Sequence, residues 1–579
     1  MTDDAAAGRR WWKEAVVYQI YPRSFNDSDG DGVGDIPGII ERVDYLEALG
    51  VDVVWLNPIY ESPMADNGYD IADYRAIHPE FGSMTDWERL LEELHARDMR
   101  LIMDLVVNHT SEDHEWFRRS RKGESPYDDY YYWRDAPDDD SRPNNWESFF
   151  GGPAWRYDDE REQYFLHLYD ESQPDLNWRT EAVRDDVYEM MTWWLEKGID
   201  GFRMDVINLI SKPDGLPDGD PDEIPVGADQ YVNGPRLDAY LEEMHERALV
   251  DYDVMTVGET VDMAAEEAPD YVGDDRALNM AIHFEHMGVD RGDGGKYDPI
   301  ELDLPALKAI LSRWQTELAG EAWNCLYWSN HDQPRTVSRF GDDERYRRES
   351  ATMLATVLFT LQGTPFIYQG QEIGMTNTNF EDPSTLRDVW AKNFLEEALE
   401  SGEYDSFEEV RPILEECSRD NARTPMQWTD GDQAGFTDGT PWIDVDDAAP
   451  EINVEAARAD DRSIWHYYRR LIDLREERDV FVYGEYEPLL EDDEELFVYR
   501  RTLGDEGLLV VCNFFDGGPT LSLEELLEDL DGVGVTDLDL VVDNYAELGE
   551  GSPDRRATPE DDLDLRPYEA LVYGYQTDE

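Results

Sequence analysis

Residues Gly201 to Ile207 read Gly-Phe-Arg-Met-Asp-Val-Ile, placing Arg203 and Asp205 two positions apart. In an extended strand residues i and i+2 share a face, so this guanidinium and this carboxylate point the same way. An arginine beside an aspartate lowers its pKa and keeps it ionised, which suits a nucleophile or an electrostatic anchor. Taken alone, the pair reads as a structural ion pair at a strand end. It is accompanied, however, by Glu259 and Asp332, which end two further apolar segments, and by His109 and His331 at similar positions. Two carboxyl groups flanking a bond, one ionised and one protonated, are what glycoside hydrolysis by a retaining route requires. One attacks; the other protonates the leaving oxygen and then activates water. The second must have its pKa raised by its surroundings.

A different set of oxygen donors lies between Ser24 and Asp35. Asp27, Asp29, Asp31 and Asp35 recur in register, Val33 is placed to offer its carbonyl, and Gly32 sits where a sharp turn is needed. This is the first three-quarters of a loop of the EF-hand type, with Gly38 where the closing bidentate Glu would stand. The spacing predicts a hard cation, Ca²⁺ or Mg²⁺, in a structural role.

The elements that must carry these groups alternate. Val16 to Pro22, Val53 to Pro58 and Leu101 to Val107 read as strands, the third apolar on both faces and so buried and parallel. Between them, Ile39, Ile40, Val43, Leu46 and Leu49 form a helical stripe ending at Gly50, and a second helix is opened by Asp86. After a helix over 183–197, five more strands follow, near 201–207, 254–260, 278–285, 326–332 and 364–370. Polar residues gather just after strand C-termini, which is the grammar of a (β/α)8 TIM barrel whose active site lies at that end. The expected division is an α/β barrel over 1–109 and 178–480, an inserted subdomain over 110–177 with no clean helix, a partly helical lid over 376–427, and an antiparallel β-sandwich over 481–579.

Composition narrows the partners. The 579 residues hold 50 Lys plus Arg against 135 Asp plus Glu, a formal charge of −85. Such a chain is repelled by phosphate backbones and anionic membranes. Its acid is dispersed and sits beside 12% aromatic residues, unlike disordered acidic chains. Acidic shells with scarce lysine resemble those of proteins from salt-accumulating halophiles, where concentrated salt screens self-repulsion. Cys325, Cys417 and Cys512 have no metal spacing and read as reduced, buried thiols. The first ten residues lack a signal-peptide core and no run is long enough to span a membrane, so a cytoplasmic location is expected.

The motifs Asp104-Leu-Val-Val-Asn-His109, Gly201-Phe-Arg-Met-Asp205, Gly258-Glu259 and Asn330-His-Asp332 occur in order, with Gln173-Pro-Asp-Leu-Asn177 and Asn421-Ala-Arg-Thr-Pro-Met-Gln-Trp428. Together they resemble the α-amylase family, glycoside hydrolase family 13, and within it the oligo-1,6-glucosidase/α-glucosidase group. The resemblance spans essentially the whole chain. It implies that Asp205 is the nucleophile, Glu259 the general acid/base, and Asp332 the group that binds sugar hydroxyls at the distorted transition state. It implies further that Arg203 orients Asp205, and that His109 and His331 bind hydroxyls of the same glucose. Asp66 with Arg419, or alternatively Arg423, would close the pocket behind one sugar, giving exo action, with Tyr69 stacking on the ring; Phe165 and Phe284 would line it or serve the core. Valine after the nucleophile, here Val206, goes with α-1,6 bonds in this group; alanine, glycine or threonine goes with α-1,4. The expected substrate is a short oligosaccharide, with no organic cofactor and with transglycosylation open. An α-1,4-glucosidase is the alternative, ahead of a trehalose-6-phosphate hydrolase, a sucrose isomerase or a non-catalytic transporter partner.

Overall fold

The computed structural model describes residues 8–137, 141–528, 538–549, 557–558 and 560–576. Eight parallel strands form one sheet: β1 (Val17–Ile20), β2 (Val53–Leu56), β3 (Arg100–Val106), β4 (Gly201–Asp205), β5 (Met255–Thr260), β6 (Met280–His283), β7 (Cys325–Leu326) and β8 (Thr364–Tyr368). They pair in chain order, β1 also pairs with β8, and a parallel bridge between Ala281 and Asn324 joins β6 to the start of β7. The sheet is therefore a closed barrel. Its strands are buried on both faces, as parallel strands enclosed by helices must be.

Two junctions show why the sequence folds this way. Gly198 ends the Glu181–Lys197 helix in the left-handed region at φ 103°, the C-terminal cap a glycine serves best. Gly201 then opens β4 at φ 150°, where an added Cβ would lie 1.8 Å from the Met255 carbonyl. Only glycine lets β4 and β5 approach closely there, and those two strands carry Asp205 and Glu259.

Several local expectations need correction. The Met84–His95 helix is opened by Ser83, whose hydroxyl accepts from the Asp86 amide while Asp86 answers as the reciprocal member of a capping box. The apolar stripe of residues 39–49 belongs to two helices, Ile36–Glu41 and Val43–Leu49, broken at Arg42. The segment between β3 and β4 does hold a helix, Glu115–Arg121, capped by His114 and anchored by buried Phe117. A three-stranded antiparallel sheet (Trp133–Asp135, Gln163–Leu166, Trp155–Asp158) completes that segment. The strand β7 is two residues long, and 327–332 leave it as loop.

After β8 the chain forms helices Val389–Ser401, Phe407–Cys417 and Asp420–Arg423 before the barrel's last helix, Ile464–Glu477. The C-terminal part is a five-stranded antiparallel sheet (Glu485–Leu489, Leu496–Leu503, Glu506–Asn513, Ala570–Gln576, Asp539–Asp543) facing a two-stranded one (Thr520–Ser522, Asp562–Asp564). Alternation divides its residues cleanly. Phe497, Tyr499, Val510 and Val572 join the barrel's core, while Val498, Leu509, Val511 and Leu571 pack with Leu521 and Leu563 in the sandwich interior.

Candidate active site

Parallel register brings the charged side chains of neighbouring strands together. Asp104 on β3 stands opposite Arg203 on β4, and Val257 on β5 stands opposite Arg203 on its other side, two residues before Glu259. The Arg203 guanidinium, 1% exposed, reaches Asp104 at 2.5 Å, Asp205 at 2.7 Å and Glu259 at 2.7 Å. Arg203 thus meets Asp205, and beyond that expectation it bridges both candidate catalytic acids. The other Glu259 oxygen accepts from the Val206 amide at 3.1 Å.

Two of these buried carboxyls, Asp104 and Asp205, are hard to ionise together. Burial raises the Asp205 pKa well above the ordinary carboxylate value, Arg203 opposes this, and the Glu259 and Asp104 charges add to it. Burial likewise pushes Asp104 up to about 6, against Arg203 and the Trp55 indole. Asp104 and Asp205 thus hold a proton to a higher pH than a lone carboxyl would. That proton belongs to the group before it belongs to any one residue.

Asp332 is set differently. Burial disfavours its charge, but His331, Arg419, Arg423 and Lys296 surround the carboxyl and hold it well below the usual range. Arg423 donates to it at 2.7 Å and Arg419 at 3.3 Å. His331 is pushed down to about 3 by burial and so meets Asp332 as a neutral ring. The Gln19 amide nitrogen lies 2.9 Å from His331 Nδ1; since that amide donates, the ring proton sits on Nε2, which faces Asp332 Oδ2 at 3.3 Å. The same ring stacks on Tyr69 at 5.2 Å between centroids.

Arg419 gathers a second set of acids beside Asp332. Arg419 reaches Asp66 at 3.4 Å and Asp388 at 2.6 Å, with its guanidinium 5.0 Å from the Phe150 ring. The Gln173 amide contacts Asp66 at 3.3 Å and His109 Nε2 at 3.2 Å. Burial pushes His109 down to about 4. Lys212, fully buried, ties the ends of β3 and β4 to the inserted segment by reaching Asn108 at 2.6 Å and Asp175 at 2.5 Å.

So the structure brings together Asp205, Glu259, Asp332, Asp66, Tyr69, His109, Arg203, Val206, His331, Arg419 and Arg423. Phe284 follows β6 directly and is half-buried. Of the two roles open to Phe165, the structure shows the core one: it lies in the inserted segment's aromatic core, against Phe117 at 5.1 Å and Trp133 at 5.6 Å. Sequence reasoning missed Phe150, Asp388 and Lys296, and it quoted Gln173 only as part of a motif. Nothing in an aromatic-rich stretch without periodicity separates Phe150 from Phe165; register with Arg419 does.

In the acidic loop, oxygens of Asp27, Asp29 and Asp35 converge within 4.8 Å of one another. Asp31 lies outside that group and accepts from the Val33 amide. A set of three hard oxygen donors fits a Ca²⁺- or Mg²⁺-type ion.

The profile of the alpha-amylase catalytic domain matches residues 19–484. The chain is 53% identical to an oligo-1,6-glucosidase of Halalkalibacterium halodurans over 97% of its length and 99% of that protein's. It is 48% identical to the trehalose-6-phosphate hydrolase of Bacillus subtilis over 97% of its length and 98% of that protein's. The crystal structure of Bacillus licheniformis trehalose-6-phosphate hydrolase superposes with a TM-score of 0.90 at 48% identity, covering 98% of this chain and all of that one.

Proposed function

The chain belongs to the α-amylase family and is a glycoside hydrolase, and on that premise we propose a retaining, exo-acting α-glucosidase that prefers the α-1,6 bonds of short oligosaccharides. The observation that carries this is the single guanidinium of Arg203 bridging Asp205 and Glu259. One bridge between two carboxyls favours the short separation, about 5–5.5 Å, of retaining enzymes over the about 6.5–9.5 Å of inverting ones. Asp205, as carboxylate, attacks the anomeric carbon while Glu259, as carboxylic acid, protonates the leaving oxygen. A glucosyl-enzyme ester on Asp205 results. Glu259, now ionised, takes a proton from the water that hydrolyses it. Asp332, held ionised by its arginines, accepts hydroxyls of the distorted sugar and stabilises its developing positive charge.

Exo action is supported by the Asp66–Arg419–Asp388 contacts, which would close the pocket behind one glucose. The α-1,6 preference is supported by Val206 and by the oligo-1,6-glucosidases among the relatives. In the acidic loop, Asp27, Asp29 and Asp35, with the Val33 carbonyl, would hold a structural Ca²⁺ or Mg²⁺. Among the described residues no helix is long and apolar enough to cross a membrane; with the acidic composition this supports a cytoplasmic protein of a salt-rich cell.

Glucose release from isomaltose and maltose in multi-molar KCl, with Asp205→Asn as blank, tests the reading. Faster isomaltose cleavage, with the α-anomer of glucose released first by NMR, is the expected result; release that Asp205→Asn leaves intact would sink it. Lys296 is a cation beside Asp332, so trehalose 6-phosphate belongs in the same panel.

A further inference from the structure

The pocket's two ends differ in chemistry. One end is a chain of charges on Asp66, Arg419 and Asp388. The more exposed end is on the side of Asp332, whose side chain is 31% exposed against 9% for Asp205 and 7% for Glu259. Arg419 also touches Asp332, so a glucose held at Asp66 would have its leaving partner on this more exposed rim.

An indole stands there. Lys296, in the turn Gly295–Tyr297 after β6, donates to the Asp332 carbonyl at 3.1 Å and holds its ammonium 4.5 Å from the Trp390 ring centroid. Trp390 lies in the first turn of the Val389–Ser401 helix, its amide capped by Asp388 at 3.0 Å, the same carboxylate that holds Arg419. Tyr297 meets the indole edge-on at 6.2 Å and Phe150 lies 5.9 Å away. A cation, two rings and a helix cap thus fix Trp390, yet it remains only half-buried. Beyond Phe150 an open cleft of about 490 Å³ continues along the same helix past Asn393 and Glu397.

We propose that Trp390 determines leaving-group specificity: its exposed indole surface receives the ring of the departing sugar, or of an aryl aglycone, while the glucosyl unit is transferred to Asp205. The inference rests on the α-glucosidase reading above. Apolar C–H faces of a sugar pack on an aromatic face as other apolar rings do, a contact strong enough to change affinity by about tenfold.

α-Glucosyl fluoride separates the two ends of the pocket, because it carries the same glucose and no leaving ring. Trp390→Ala should lower kcat/KM for isomaltose about tenfold more than for α-glucosyl fluoride, mainly through KM, and Trp390→Phe should recover most of that difference. Equal losses on both substrates would mean that Trp390 shapes the glucose end or the fold, and would overturn the proposal; so would no loss on either. If the wild-type enzyme cleaved neither compound, the α-glucosidase reading would fall and this proposal with it.

Discussion

Val206 combines two roles that the sequence suggested only in part. Its side chain is buried beside Leu209 in the cluster beneath the inserted segment, and its backbone sits at φ 36°, ψ 42°. A β-branched residue in the left-handed region is strained by about 1–3 kcal/mol, and the reward is an amide aimed at Glu259. Val206→Ala keeps that amide and removes bulk, so the isomaltose-to-maltose ratio of kcat/KM should drop about tenfold, within the 1–3 kcal/mol that a methyl-scale change commands. An unchanged ratio would move the selector elsewhere. The buried histidines give a second residue-scale consequence. His109 and His331 titrate at about 4 and about 3 when folded, below the ~6.5 of an unfolded histidine. Between pH 6.5 and 4 the unfolded chain therefore binds protons that the native one refuses, and stability falls as pH falls. Urea unfolding at pH 7 and pH 5 should show a smaller loss in His331→Asn than in wild type; equal losses would contradict a neutral, buried ring. The carboxylates at strand ends were legible because strand periodicity and residue type are local. That Arg203 serves Glu259 as closely as Asp205 was not, since it depends on the register of β4 against β5.

At the scale of elements, alternating apolar segments were enough to count eight strands, but not to bound them. The peptide after Leu326 stays apolar through Trp328 and reads as strand, yet the chain leaves the barrel there to place His331 and Asp332. The acidic loop was legible as a donor pattern, whereas its partner was not, being more than 400 residues away. The Thr437 hydroxyl donates to Asp27, the Asp27 amide to the Phe436 carbonyl at 3.0 Å, and the Trp442 amide to the Gly32 carbonyl at 2.9 Å. Gly32 has φ 97°, and an added Cβ would lie 1.9 Å from the Thr440 carbonyl. The loop thus clamps the segment that returns from the lid, and a bound cation would stiffen that clamp. Chelation should lower the Tm of wild type, with recovery on adding Ca²⁺, while Asp29→Ala should bind less metal and be indifferent to chelator. Gly32→Ala should be destabilised with or without Ca²⁺, since its clash is with backbone. Equal, negligible metal in wild type and Asp29→Ala would end the cation reading.

For the whole molecule the deciding quantity is the charge of −85, with 135 acidic residues against 50 basic ones. The cations are drawn to where they position something: Arg203, Arg419 and Arg423 at the site, each at most 5% exposed, and Lys308, which donates to the Leu490 and Leu496 carbonyls where barrel and sandwich meet. Much of the acid is left on the surface without a counterion, as on the exposed side of the lid helix at Glu396, Glu397 and Glu400. Repulsion among such groups acts over the Debye length, about 10 Å at 0.1 M salt and about 3 Å at 1 M, and it weighs against the compact state more than the expanded one. The Tm should therefore climb steeply between dilute buffer and molar KCl, and NaCl at equal ionic strength should do nearly as well, because screening is indifferent to the ion. A specific cation site would saturate at millimolar Ca²⁺ and leave that slope in place. Replacing Glu396, Glu397 and Glu400 by Lys shifts the net charge from −85 by six units toward zero without touching Trp390 or the Asp388–Arg419 pair. That variant should reach the wild-type Tm at lower KCl. A Tm independent of salt, or a triple variant with an unchanged salt slope, would show that the acidic shell does not set stability and that its carboxylates are already screened by their own spacing.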